Sequence, residues 1–180
     1  MSKKILFVVD AQNDFMEGGA LAVPKANEII PFINERLASG EYDAIYFSKD
    51  WHPKNHCSFK ENGGIWPPHC IQSSFGACIN SDIVIPIEQS KKVKFIYKGL
   101  LKDKEEYGAY VPESFNENQS DCSVDVVGLA TEFCCFHTAK DLKGAGFKVN
   151  FLLDGMRSIT DEGKIKVFVE LSKIGVDISV

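Results

Sequence analysis

The chain contains no apolar run approaching the roughly 18–20 residues of a membrane span. Its N-terminal run, Ile5-Leu6-Phe7-Val8-Val9, is cut by Asp10 after five residues, too short for the core of a signal peptide. The expectation is a cytoplasmic protein with no membrane partner. A basic footprint is also missing: 20 Lys plus Arg stand against 25 Asp plus Glu, a formal charge of −5 with no long block of one sign. Phosphate backbones need such a footprint, so nucleic acid is not an expected partner. Internal repeats, low-complexity tracts and linkers are absent too. What is present is a globular balance, 44% hydrophobic and 25% charged, enough apolar surface for a core that folds unaided. At 180 residues the chain is read as one domain, 1–180. Six cysteines occur, at 57, 70, 78, 122, 134 and 135; without an export signal they are read as thiols. Cys134 and Cys135 are neighbours, and disulfide geometry fits poorly across one peptide bond.

Continuous apolar runs rich in β-branched residues suit strands buried on both faces. Six are candidates: Lys4 to Val9, Tyr42 to Ser48, Val93 to Tyr97, Val124 to Leu129, Lys148 to Leu153 and Val176 to Val180. Helical spacing appears between several of them, from Ala26 to Ala38, from Cys134 to Gly144 and from Lys164 to Ile174. Pro31 is tolerated if it lies in a first turn, and Gly144 or Gly146 supplies a stop. Alternating strands and helices predict an α/β fold, a three-layer α/β/α arrangement around a mostly parallel six-stranded central sheet. The segment 49–80 is different. It holds three of the four histidines, both tryptophans, and Pro53, Pro67 and Pro68, with little periodicity, which marks a functional loop.

Ligands of open α/β sheets bind at the carboxyl ends of the strands. Asp10 closes the first candidate strand, Asp50 follows the second, Lys98 the third, and Cys134 opens a helix after the fourth. An acid, a second acid, a cation and a thiol therefore share one rim. Cys134 is the natural nucleophile, since a helix N-terminus and a nearby lysine both stabilise a thiolate. Asp10 is placed to take the thiol proton, and Lys98 to hold the anionic groups. Taken singly, Cys134 reads as a small buried apolar residue and Asp10 as a strand-end cap; their convergence is what carries the argument. A second constellation joins Asp50-x-His52, His56 and, in Trp66-Pro67-Pro68-His69, a further imidazole. One carboxylate and two or three imidazoles suit Zn²⁺, Fe²⁺ or Mn²⁺, although loop histidines are often merely solvated. His137, one turn after Cys134, is read as structural.

These residues fall into motifs. Asp10-Ala11-Gln12-Asn13-Asp14-Phe15, Ser48 through His56 (SKDWHPKNH), Trp66-Pro67-Pro68-His69-Cys70, Lys98-Gly99 and Gly128 through Cys134 (GLATEFC) follow one another along nearly the whole chain. Together they closely resemble the nicotinamidase/pyrazinamidase branch of the isochorismatase-like cysteine hydrolases. The resemblance implies that family's hydrolase fold, an Asp10, Lys98, Cys134 triad, and one divalent metal ion held by Asp50, His52 and His69, with His56 as a possible further ligand. Zinc is the first choice, iron or manganese the alternatives. It also implies a non-proline cis peptide at Leu129–Ala130, an oxyanion hole from the Ala130 and Cys134 amides, and a ring site walled by Phe15, Trp66 and Phe133. Phe15 and Phe133 also read as ordinary core aromatics. Three departures stand out: Glu132 where the family more often has Asp, Cys135 after the nucleophile, and a variant stretch Gln72 through Gly76.

The implied activity is hydrolysis of a small-molecule amide, nicotinamide and also pyrazinamide, to the acid and ammonia through a thioester, a step of pyridine-nucleotide salvage. A related amidohydrolase acting on a ureido or carbamoyl compound, a metal-water hydrolase with a bystander cysteine, and a binding or redox protein using Cys134 and Cys135 are the rivals. Whether the chain forms a homo-oligomer is left open.

Overall fold

In the computed structural model, which describes residues 3–115 and 121–180, the runs read as strands become β1 (Lys3–Val9), β2 (Ala44–Asp50), β3 (Val93–Lys98), β4 (Cys122–Gly128), β5 (Lys148–Met156) and β6 (Asp177–Ser179). They form one sheet in the order β3-β2-β1-β4-β5-β6, and every neighbouring pair is parallel. Along β1, Ile5, Phe7 and Val9 enter one core while Leu6 and Val8 enter the other. That is why the run is continuous rather than alternating: both faces of the sheet are covered. Helices α2 (Phe136–Gly144) and α3 (Asp161–Lys173) close the first core with Ala139, Leu142, Val167 and Leu171. Helix α1 (Ile30–Ala38) closes the second with Ile30, Ile33 and Leu37. Among the described residues no helix is long and apolar enough to cross a membrane.

The boundaries differ from the sequence reading where polar residues intervene. Strand β2 starts two residues late because Tyr42 turns aside, donating its hydroxyl to Asp125 Oδ2 at 2.8 Å. It also runs on through Lys49 and Asp50, which pair with Tyr97 and Lys98; Lys49 lies over the Trp51 and Tyr97 rings and Asp50 meets the Lys98 ammonium. The expected first helix begins as a 3₁₀ turn, Ala26–Ile29. Pro31 lies in the first turn of α1, where its missing N–H costs nothing. Helix α3 starts three residues early, capped by Thr160, whose side chain accepts from the Gly163 N–H at 3.0 Å. Ahead of α2, residues Thr131–Cys135 form a π-turn, so Cys134 lies in that turn and not in regular helix. The segment 51–80 after β2 is irregular, with a 3₁₀ turn at Lys60–Asn62 and isolated bridges, His52 to Ile71, Phe59 to Trp66 and Gln12 to Ile79.

The strand order reverses between β1 and β4, which makes a crevice at their carboxyl ends. Val9 and Gly128 pair there. Gly128 has φ +122°, and a Cβ on it would collide with the Val9 backbone, so the close approach of the two strands requires glycine.

Candidate active site

Lys98, the last residue of β3, is buried and reaches across two strand ends. Its ammonium lies 2.8 Å from Asp10 Oδ2, 2.5 Å from Asp50 Oδ1 and 3.3 Å from Cys134 Sγ. One cation therefore joins two carboxylates and a thiol. Asp10 leaves β1 with φ +45°, a turn that an aspartate tolerates better than most residues. Its backbone N–H donates to Ser48 Oγ at 3.1 Å, and the same hydroxyl donates back to Asp10 Oδ1 at 2.6 Å. Asp10 Oδ2 meets the Lys98 ammonium at 2.8 Å, a contact that occupies one lone pair and leaves the other for a further donor.

Burial and charge set the protonation states. Burial pushes the Asp10 carboxyl up, and the neighbouring Lys98 offsets this only in part. Burial also works against ionised Asp50, but Lys98 together with His52 and His69 outweighs it and holds that carboxyl well below the usual range. The Cys134 thiol is pushed well up by burial, with Lys98 pulling it down and the two aspartates pushing it up. Desolvation and the two carboxylates together outweigh the lysine, which favours the protonated thiol and suits a base beside it.

Asp50 also faces the histidines. His52 Nε2 and His69 Nε2 lie 3.4 and 3.7 Å from Asp50 Oδ2. A ligand atom from each of Asp50, His52 and His69 falls within 4.8 Å of the others. His52 Nδ1 is 3.0 Å from the Gly99 carbonyl and His69 Nδ1 2.8 Å from that of Pro67. A carbonyl only accepts, so each Nδ1 carries the proton and each Nε2 presents a lone pair inward, the arrangement of metal-binding imidazoles. The donor set fits a divalent cation with positions left for other ligands. His56 is not brought into this group. Its Nδ1 is engaged by Ser58 Oγ at 2.7 Å and its Nε2 by the Lys104 carbonyl at 3.0 Å, while its ring stacks on His52 with centroids 4.1 Å apart.

Both constellations open on one narrow cavity of about 30 Å³, lined among others by Phe15, Asp50, Trp66, His69, Phe133 and Cys134. The three aromatics singled out in the sequence thus share a space with the thiol. Phe15 is buried against the His69 ring, and Trp66 meets Phe133 edge-on with centroids 5.1 Å apart. The Leu129–Ala130 peptide is cis. The Ala130 carbonyl accepts from Phe133 and Cys135 at 3.1 and 3.2 Å, and the Thr131 N–H donates to the Arg157 carbonyl at 3.0 Å, which fixes the turn that carries Cys134.

The isochorismatase domain family matches residues 4–179. The chain belongs to that family. A nicotinamidase of Escherichia coli is 31% identical to it, over 97% of this chain and 93% of that protein. The crystal structure of pyrazinamidase of Pyrococcus horikoshii in complex with zinc has a TM-score of 0.84 at 35% identity, covering 98% of each chain. That of PnC1 from L. infantum in complex with nicotinate has a TM-score of 0.88 at 30% identity, covering 99% of this chain and 96% of that one. These relatives place the chain in the nicotinamidase/pyrazinamidase branch of the isochorismatase family, among its amidohydrolases.

Several residues of this isochorismatase-family site escaped the motif reading as individuals. Gln12 clamps Asp50 by both backbone groups, its Oε1 accepting from the Asp50 N–H and its Nε2 donating to the Asp50 carbonyl, each at 2.8 Å. Asp14 Oδ2 accepts from the Cys70 N–H at 2.7 Å and so fastens the His69 loop. Tyr107 lines the cavity and accepts the Trp66 indole N–H at 3.1 Å. Gln12 and Asp14 lie inside a quoted motif; nothing in the spacing of Tyr107 marks it. His137 stacks on the Tyr107 ring with centroids 5.4 Å apart, in keeping with a structural role. Cys135 is fully buried in the core under the sheet, facing away from the cavity lining.

Proposed function

We propose that the protein hydrolyses nicotinamide, and pyrazinamide with it, to the acid and ammonia, as a step of pyridine-nucleotide salvage. The observation that carries this reading is the Lys98 ammonium, in contact with Asp10, Asp50 and Cys134 at once, beside a cavity lined by Phe15, Trp66 and Phe133. Asp10 takes the Cys134 proton through its free Oδ2 lone pair as Sγ attacks the carboxamide carbon. The Ala130 and Cys134 amides donate to the developing oxyanion. The carbon–nitrogen bond then breaks, Asp10 returns the proton to the departing nitrogen, and ammonia leaves a thioester on Cys134. Water, deprotonated by Asp10, attacks that thioester; the carbon–sulfur bond breaks, and the proton goes back to Sγ as the acid departs. Lys98 keeps its charge throughout and holds both carboxylates in place.

Asp50, His52 and His69 would hold one divalent ion, zinc by the chemistry of two imidazoles and a carboxylate. Bound there, such an ion supplies a Lewis-acid contact for a ring nitrogen. Phe15, Trp66 and Phe133 wall the ring on its flat sides, and His56 supports His52 from behind. The cavity suits a ring amide better than an extended ureido compound, because Phe15, Trp66, Tyr107 and Phe133 border it with aromatic rings while its polar groups, Asp50, His69 and Cys134, are few.

The reading has a direct test in substrate preference. Benzamide has the same amide and nearly the same shape as nicotinamide but no ring nitrogen. A site built around a polar contact rejects an analogue lacking it by about 10⁴-fold in favourable cases, so nicotinamide should be hydrolysed far faster, measured as kcat/KM for ammonia release. Comparable values for the two amides would contradict a ring nitrogen directed at the Asp50, His52, His69 group.

A further inference from the structure

Glu132 departs from the family pattern and takes no part in the chemistry above, yet it is closely built into the site. It lies in the π-turn two residues before Cys134, and its side chain leaves that turn for the start of α3. There Oε1 accepts from the Ile159 N–H at 2.9 Å and from the Thr160 N–H at 2.8 Å. Gly163, in the first turn of α3, makes room for it: a Cβ at Gly163 would lie 3.0 Å from Glu132 Cγ. A carboxylate at this end of a 13-residue helix also sits in the favourable field of the helix dipole. Ile159, whose amide it holds, lines the same cavity as Cys134, Phe133 and Ala130.

From this geometry we infer that Glu132 is a specificity-determining positioning residue: it fixes the Ile159 wall of the substrate cavity against the turn that carries the nucleophile. The inference rests on the nicotinamidase reading for its substrate, a single-ring amide, and deepens it. Glu132 touches neither the reacting atoms nor the ring. It acts through one bifurcated acceptor that ties residues 159 and 160 to residue 132. Aspartate at this position is one methylene shorter and does not reach both N–H groups from the same backbone, so Ile159 would be held less firmly. Glutamine keeps the carbonyl acceptor and loses only the charge.

The test combines kinetics with amide exchange. In Glu132→Asp and Glu132→Ala, KM for nicotinamide should rise about tenfold, the scale of one or two missing apolar contacts, while kcat stays within about threefold, as when binding is lost equally from ground and transition states. The preference for nicotinamide over the two-ring quinoline-3-carboxamide should shrink in parallel. Glu132→Gln should keep both parameters near wild type. Ile159→Ala should reproduce the Glu132→Ala effect, and the double variant should lose little more, because the two substitutions remove one wall. Independently of any substrate, hydrogen exchange at the Ile159 and Thr160 amides should accelerate in Glu132→Ala and stay slow in Glu132→Gln. Unchanged exchange at these amides, fully additive Glu132 and Ile159 effects, or a fall in kcat with KM unchanged would each overturn the inference. If the wild-type protein releases no ammonia from nicotinamide, the substrate reading fails on its own, and the exchange data still decide whether Glu132 holds the wall.

Discussion

Ser48 illustrates how much of this site depends on groups that do no chemistry. Its hydroxyl both accepts from the Asp10 backbone and donates to Asp10 Oδ1, leaving Oδ2 as the oxygen turned toward Lys98 and the thiol. A hydrogen bond to a charged group is worth about 1.5–3 kcal/mol. Ser48→Ala should therefore lower kcat for nicotinamide by roughly ten- to a hundredfold with KM little changed, which steady-state ammonia release would show; a fall confined to KM would mean that Asp10 is held by something else. Asp10, Lys98 and Cys134 were legible beforehand because each ends a strand or starts a helix, and strand ends are where open sheets bind. Ser48 and Gln12 were not legible as partners, because their roles arise from the stagger of β1 against β2, which pairs Val8 with Phe47 and so leaves Ser48 and Asp50 alongside the residues that follow Val9, among them Asp10 and Gln12. His56, a possible further ligand by its place in the loop, has both ring nitrogens engaged by Ser58 and Lys104 here, partners that its spacing in the sequence does not reveal.

Among the elements, the turn that follows β3 is the most exacting. Gly99 has φ +65°, and a Cβ there would strike the His52 ring, while its carbonyl orients the same ring through Nδ1. Its N–H is held by Glu106 Oε2 at 3.1 Å. Gly99→Ala thus combines an unfavourable backbone conformation with a displaced imidazole. It should weaken divalent-metal binding by about 10–100-fold, the usual scale for disturbing an orienting partner, as read by chelator competition. Unaltered metal affinity in this variant would show that His52 is not a ligand. The strands themselves were readable from apolar runs, and the helices from spacing. The π-turn Thr131–Cys135 was not: apolar periodicity cannot report a single residue absorbed into a wider turn, and here the Ala130 carbonyl accepts two N–H groups to accommodate it. Strand ends were also misjudged by one to three residues, at Tyr42 and Asp50 where polar groups find partners within the protein, and at the end of β5, which runs on to Met156.

At the level of the whole molecule, the sheet order explains why so few residues suffice. Reversal of the strand order between β1 and β4 opens one crevice, and it receives Asp10 from one side and the Ala130 to Cys134 turn from the other. β2 and β3 then deliver Asp50 and Lys98 along the same rim, so the acid, the cation and the thiol need no flexible segment to meet. The parallel architecture was foreseeable from alternating strand and helix patterns; the order of the strands was not, since local sequence does not reveal which side of β1 each later strand takes. In this crevice the proposed nucleophile is the Cys134 thiol and not its neighbour. Ammonia release from nicotinamide by the wild-type, Cys134→Ala and Cys135→Ala proteins, with circular dichroism confirming that each is folded, tests this assignment most directly. The expected result is turnover by the wild type, a loss of at least about 10³-fold in Cys134→Ala on the scale of nucleophile removal in other hydrolases, and most of the activity retained in Cys135→Ala. Activity in folded Cys134→Ala comparable to wild type, or its loss in Cys135→Ala alone, would contradict it.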